Sequence, residues 1–177
     1  MPLPPSTPGL AGVHRPRGRD LIRPELRDLA LAVASRPELW RHLAHHDPAA
    51  RFYEELLRDD HVAVWLICWM RDHDTGFHDH DRSSGGVAIA SGAVREDRLS
   101  LAGPVTRWFR AGQAFDFAAS DIHRVLHDGS KPAVTIHAYS PPLSRMGAYE
   151  TTPTGELQRH SISYEQELRP LGDAAVR

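Results

Sequence analysis

The sequence is short of several things, and each shortage narrows what the chain can be. It holds one cysteine in 177 residues, Cys68, which excludes an internal disulfide and, set in an apolar run, fits a reducing compartment. No apolar run approaches the length of a membrane span, and the N-terminus lacks the charged-then-apolar pattern of a secretory signal. Neither charge is in excess. With a formal net charge of -2 and an isoelectric point near 6.6, nothing steers the chain to nucleic acid or to an anionic membrane. The expectation is a cytoplasmic protein, a monomer or small homo-oligomer, with neither nucleic acid nor membrane as a partner.

Residues 1–19 are rich in proline and glycine and poor in apolar side chains, a composition that does not offset its own ordering entropy. They are expected to be a flexible tail, with 20–177 as one domain. Pro24 suits the first turn of a helix through Ser35, on which Leu26, Leu29, Ala30 and Val33 make one apolar stripe. The capping-box pattern Ser35-Arg36-Pro37-Glu38 predicts a second helix carrying Leu39, Trp40 and Leu43. Asp47-Pro48 predicts a third, burying Phe52, Leu56 and Leu57, so that helices fill about 20–58. His42, His45 and His46 sit on mixed faces without an acidic partner and read as surface histidines.

Beyond Asp59-Asp60 the pattern changes. His61 to Trp69 is rich in β-branched and aromatic residues and reads as a buried strand. Short strands punctuated by turns follow, at Asp74-Thr75-Gly76, Ser84-Gly85-Gly86, Ser91-Gly92, Gly103-Pro104, Ala111-Gly112 and Asp128-Gly129. Gln158 to Tyr164 adds a last edge strand. Many short strands with no helix between them predict a mainly β fold, an antiparallel barrel or sandwich over about 61–164 preceded by a helical segment.

Within that barrel lies Gly76-Phe77-His78-Asp79-His80. Side chains alternate along a strand, so His78 and His80 point to one side, about 6.6 Å apart. A pair of this kind can arise by accident among twelve histidines. A third histidine, His123 in the extended run Asp121 to Val125, can come alongside by antiparallel folding. Imidazole nitrogen suits iron, zinc, copper or nickel, whereas magnesium and calcium want oxygen. The three together predict a transition-metal site.

Gly76, His78, His80, Gly85 and Gly92, in that spacing, resemble the first cupin motif. Gly112, Ala118 and His123, with a polar residue four positions later, resemble the second. More closely, Leu66-Ile67-Cys68-Trp69, His78-Asp79-His80, His123-Arg124-Val125 and Thr135-Ile136-His137-Ala138-Tyr139-Ser140-Pro141-Pro142 resemble the cysteine dioxygenase family of thiol dioxygenases, in order and nearly in spacing. The fold the resemblance implies is a cupin, a jelly-roll-like antiparallel β-barrel. The cofactor it implies is Fe(II) on His78, His80 and His123. Many cupins add a glutamate where this chain has Gly85, so three neutral imidazoles would leave the ion its full charge and open positions for a thiolate and O2. The reaction implied is R-SH + O2 → R-SO2H, with no external reductant. Thr135, His137 and Tyr139 match the family's relay: Tyr139 near the reacting sulfur and oxygen, His137 orienting its hydroxyl, Thr135 fixing the histidine tautomer.

The chain also departs from the family pattern. Mammalian members have a cysteine at Gly85 that cross-links to the tyrosine matching Tyr139, and Cys68 is elsewhere. Cysteine-specific members bind the substrate carboxylate through an arginine before the first strand; an ungapped alignment puts Glu54 there, with Arg51 and Arg58 as clamps if the register shifts. Arg82 and Met146 are further candidates for the substrate pocket, Asp79 for holding a loop, Arg124 for pairing with a barrel acid, and His127 for a loop residue. The expected function is a thiol dioxygenase, with cysteine as the default substrate and 3-mercaptopropionate or ergothioneine as alternatives. A non-catalytic metal-binding cupin is the competing expectation.

Overall fold

Leu26, Leu29, Ala30 and Val33 recur at the spacing of one helix face. In the computed structural model, which describes residues 10 and 12–163, they form the buried stripe of α1 (Arg23–Ala34). Pro24 lies in its first turn, and the Glu25 carboxylate reaches back to accept the backbone N–H of Ile22 at 3.0 Å. The expected second helix is two short 3-10 turns, Pro37–Leu39 and Arg41–Leu43. Trp40 between them is buried and its indole N–H donates to the carbonyl of Ala34 at 3.2 Å. Docking that ring on the end of α1 takes Trp40 to a φ of -138°, which breaks the helical run.

The expected third helix is a strand, β1 (Phe52–Arg58), paired antiparallel with β2 (Ala63–Trp69). The turn between them is held by Asp59, whose carboxylate accepts the backbone N–H of His61 and of Val62, both at 2.9 Å. A β-bulge between Glu55 and Leu57 explains the misleading spacing. It brings Leu56 and Leu57 as well as Phe52 to the face covered by α1, and so imitates a helical stripe.

The remaining strands are β3 (His78–Asp79), β4 (Ser84–Ser91), β5 (Ala93–Arg98), β6 (Val105–Arg110), β7 (Ala114–Phe117), β8 (His123–His127), β9 (Ala133–Ser140), β10 (Arg145–Thr151) and β11 (Leu157–Ser163). They form two sheets, ordered β1-β2-β9-β4-β7 and β11-β10-β3-β8-β5-β6, with every pairing antiparallel. The expected edge strand is thus present as far as Ser163; Tyr164 lies outside the described residues.

The first sheet has two apolar faces. One packs Leu56, Val64, Leu66 and Ile136 against Leu26, Leu29 and Val33 of α1. The other meets the second sheet through Ile67, Trp69, Val87, Ile89, Phe115, Phe117, Val125 and Met146. Each fully buried Leu, Val or Phe in these layers contributes about 1.5–3 kcal/mol. The helix lies close because Gly86 has no side chain: a Cβ there would sit 2.3 Å from the backbone nitrogen of Arg27.

The stretch expected as a tail is attached in its described part. Leu10 is buried against the α1 layer, Val13 packs beside it, and Arg15 pairs with Asp59 at 2.8 Å. Two apolar anchors and one ion pair hold what the proline and glycine content suggested was loose; residues 1–9 and 11 lie outside the described residues. No helix among the described residues is long and apolar enough to cross a membrane.

Candidate metal centre

His78 opens β3 and stands directly across from His123, which opens β8. His80 follows β3, with its backbone N–H donating to Ala119 at 3.2 Å and Asp81 turning the chain at a φ of 56°. The three rings converge, with centroids 4.8, 4.8 and 5.1 Å apart. One nitrogen from each lies within 4.8 Å of the others, and all three residues are buried. Burial, followed by the neighbouring imidazole His78, pushes the pKa of His80 and of His123 well below the usual histidine range. Both are therefore neutral, as metal ligands must be.

His80 Nδ1 and His123 Nε2 are buried without a hydrogen-bond partner among the described residues. An orphaned buried nitrogen is costly, and a cation between the rings removes that cost. His78 Nδ1 lies 3.0 Å from the carbonyl of Gly76, and one nitrogen of its ring belongs to the converging group. The donor set, three imidazole nitrogens with no carboxylate beside them among the described residues, fits a transition-metal ion such as iron(II).

Sequence reasoning missed the residue that holds His123. Glu96 on β5 is completely buried, and its Oε1 lies 2.9 Å from His123 Nδ1. Arg98 donates to the same oxygen at 3.0 Å, and Arg107 donates to Oε2 at 2.9 and 2.5 Å. With Nδ1–H donating to the carboxylate, His123 presents Nε2 to the centre. In the sequence Arg95-Glu96-Asp97-Arg98 reads as a polar surface run. Its one signal is that Glu96 falls two residues after Val94 and so shares the inward face.

Asp79 points away from the ligands, as its place between them requires. It accepts from Arg159 at 2.7 and 2.9 Å, from the Tyr149 hydroxyl at 2.6 Å and from the Asp81 backbone at 2.9 Å. Burial acts to raise its pKa, but the hydrogen bonds from Arg159 and Tyr149 hold it well below the usual carboxylate range. Gly147 makes room: a Cβ there would lie 2.2 Å from Arg159 Nε. Arg124 pairs with Asp74, and His127 ends β8 with Nε2 2.9 Å from the carbonyl of Lys131, away from the triad.

On the facing sheet, Thr135, His137 and Tyr139 share the inner side of β9. Thr135 Oγ1 lies 2.8 Å from His137 Nε2, and His137 Nδ1 lies 3.1 Å from the Tyr139 hydroxyl. Burial, then His78 and Arg51, lowers the pKa of His137 to about 3, so its ring is neutral. The Tyr139 ring stands 5.5 Å from that of His80.

Cross-strand register sorts the substrate candidates, since paired residues point to the same side. Glu54 pairs with Leu66 of the helix-side layer, so it leaves the pocket wall; the bulged strand, rather than a helix, sets this parity. The inner face carries Tyr53, opposite Ile67, and Glu55, opposite Trp65 and hence in the row of His137. Arg58, opposite Ala63, falls in the row of Tyr139. Arg58 donates to Glu55 at 2.7 Å and covers the Trp65 ring at 5.9 Å. Arg51 lies over Tyr53 and Trp69 at 5.5 and 5.4 Å. Arg82 is exposed, and Met146 is buried between the sheets in the same cluster as Tyr139. Cys68 is buried on the helix side, on the face turned from Tyr139. Gly85 stands directly opposite Tyr139, and the Phe117 ring fills its side-chain space: a Cβ there would fall 2.0 Å from that ring.

Residues 19–152 match the family model for cysteine dioxygenase type I. The chain belongs to that family. Among curated cysteine dioxygenases, it is 25% identical to cysteine dioxygenase type 1 of Danio rerio over 169 residues, covering 81% of this chain and 84% of the relative. It is 24% identical to cysteine dioxygenase type 1 of Homo sapiens over 156 residues, covering 81% and 77%. Solved structures show the fold. TT1209 from Thermus thermophilus superposes with a TM-score of 0.52 at 17% identity, over 58% of this chain and 93% of that one. A cupin superfamily protein from Desulfitobacterium hafniense gives 0.50 at 11% identity, over 58% and 87%. This cysteine dioxygenase family member is thus a cupin with a short N-terminal helix.

Proposed function

We propose that the chain is a non-haem iron(II) thiol dioxygenase that converts a small cysteine-like thiol to its sulfinic acid, R-SH + O2 → R-SO2H. The observation that carries this is the pocket itself: three buried imidazoles on one sheet face a tyrosine hydroxyl at the end of a buried relay on the other, in a chain of this family. Bound iron supplies the place where thiolate and dioxygen meet and react. His78, His80 and His123 would hold the ion, and three imidazoles, bound as neutral ligands, would leave it the full positive charge that attracts a thiolate. Tyr139 offers its hydroxyl to the reacting group, and His137 and Thr135 keep that hydroxyl in place.

Substrate choice falls to the inner face of β1. Arg58 in the row of Tyr139 receives a carboxylate and Glu55 in the row of His137 an ammonium, with Arg51 as the further cation. Opposite charges in adjacent rows match a zwitterion, which keeps cysteine as the first substrate to try. A cytoplasmic location fits an enzyme whose substrate is a reduced thiol.

The test is oxygen uptake by the anaerobically iron-loaded protein with cysteine, 3-mercaptopropionate, cysteamine, mercaptosuccinate and ergothioneine, and product mass in labelled dioxygen. One thiol should turn over with two labelled oxygens in its product. Full iron occupancy with no uptake from any of them would overturn the proposal in favour of a metal-binding cupin without turnover.

A further inference from the structure

Trp69 lies between the sheets, completely buried, and its indole N–H donates to Thr135 Oγ1 at 2.8 Å. Thr135 is also completely buried, and the second partner of its hydroxyl is His137 Nε2, again at 2.8 Å. An indole N–H can donate but never accept, whereas a hydroxyl carries one proton and two lone pairs. The Thr135 proton therefore has one acceptor among the described residues, His137 Nε2. If Nε2 carried the ring proton instead, Thr135 would accept twice and its own proton would be buried unmatched, an arrangement folded proteins avoid.

With Nε2 accepting, a neutral His137 carries its proton on Nδ1, which then donates to the Tyr139 oxygen 3.1 Å away. The Tyr139 proton is left for an acceptor other than His137. We infer that Trp69 is a positioning residue that fixes the direction of the chain Trp69→Thr135→His137→Tyr139, so that Tyr139 accepts from His137 and turns its own proton elsewhere. The direction stands on geometry alone; its use in catalysis rests on the dioxygenase reading. Under that reading Tyr139 donates to the reacting sulfur or oxygen and does not take a proton from it.

The direction can be read without turnover, by long-range nitrogen–proton NMR on the imidazole of His137 in the full chain loaded with diamagnetic zinc. We expect one tautomer, with the proton on Nδ1. A proton on Nε2 in the unaltered protein overturns the inference. Trp69→Gln places an acceptor where the indole offered only a donor, so the Nε2–H form should appear in the spectrum. A folded Trp69→Gln protein showing the Nδ1–H form alone would mean that Trp69 does not set the direction. Should that variant fail to fold, the tautomer of the unaltered protein still decides. An Nδ1–H tautomer in a protein that consumes no thiol would keep this inference and sink the proposed activity, so the two fail separately.

Discussion

Glu96 carries more of the metal centre than its place in a run of charges suggests. Its two oxygens are taken by His123, Arg98 and Arg107, so one buried carboxylate fixes the tautomer of a ligand while two arginines balance its charge. Glu96→Gln turns an amide N–H towards one of those donors. We expect metal affinity to fall about 10–100-fold, measured by chelator competition with cobalt(II). Unchanged affinity in a folded variant would leave Glu96 a structural residue only. A second prediction concerns Gly85. Supplying the cysteine of the mammalian relatives by Gly85→Cys should give no thioether to Tyr139, because Phe117 holds the space. The overpacking should cost about 1–3 kcal/mol. Intact mass and a denaturant midpoint check both statements; a cross-linked product would show that the Phe117 ring swings away. The ligand histidines are legible because alternation and spacing are local properties of a sequence. Glu96 is not, because its role exists only once β5 lies beside β8.

At the scale of elements, the same divide between local and non-local information decides which expectations match the structure. Most barrel strands follow from alternation and turn chemistry, and α1 from its stripe and its proline. The segment Phe52 to Arg58 misleads because a bulge adds one residue to the count, so a strand acquires helical spacing; the ungapped alignment that offered Glu54 for the pocket carries no information on strand pairing, which turns Glu54 to the helix side opposite Leu66. Trp40 overrides a capping-box pattern by docking on α1. The Asp79 contacts give a prediction at this scale. Asp79→Asn should weaken the attachment of β11, raising amide hydrogen exchange over 157–163 while β2 and β9 stay protected. The folded carboxyl has a lowered pKa, so its stabilisation is complete above the unfolded value, about pH 4, and is lost only as pH falls further towards the folded value. An acid titration followed by exchange should therefore show β11 protected at pH 5 and released in stronger acid.

For the whole molecule, the buried histidines set a condition on the metal-free state. His80 and His123 are held neutral by burial, so the unfolded chain binds protons more readily than the folded one below about pH 6.5. Stability without metal should fall as pH drops from about 6.5, and metal should oppose that fall because it binds the folded triad through deprotonated rings. Melting curves at pH 7.5 and 5.5, with and without cobalt(II), check this; a metal-free melting point independent of pH would contradict the burial of those rings. The helix layer is a separate dependency. Gly86→Val would drive a side chain into the α1 backbone at Arg27, and we expect it to lower the denaturant midpoint without changing the metal-binding stoichiometry.

Asp79 sits between two ligands on one strand and is grasped from the far side by Arg159 and Tyr149 of the last hairpin. The C-terminal hairpin is therefore a latch on the strand that carries the histidine pair. A protease cutting the exposed turn between Thr152 and Glu156 would undo that latch before it reached the buried sheet. The strand that carries His78 would then lose its outer brace while the sheet behind it stayed paired.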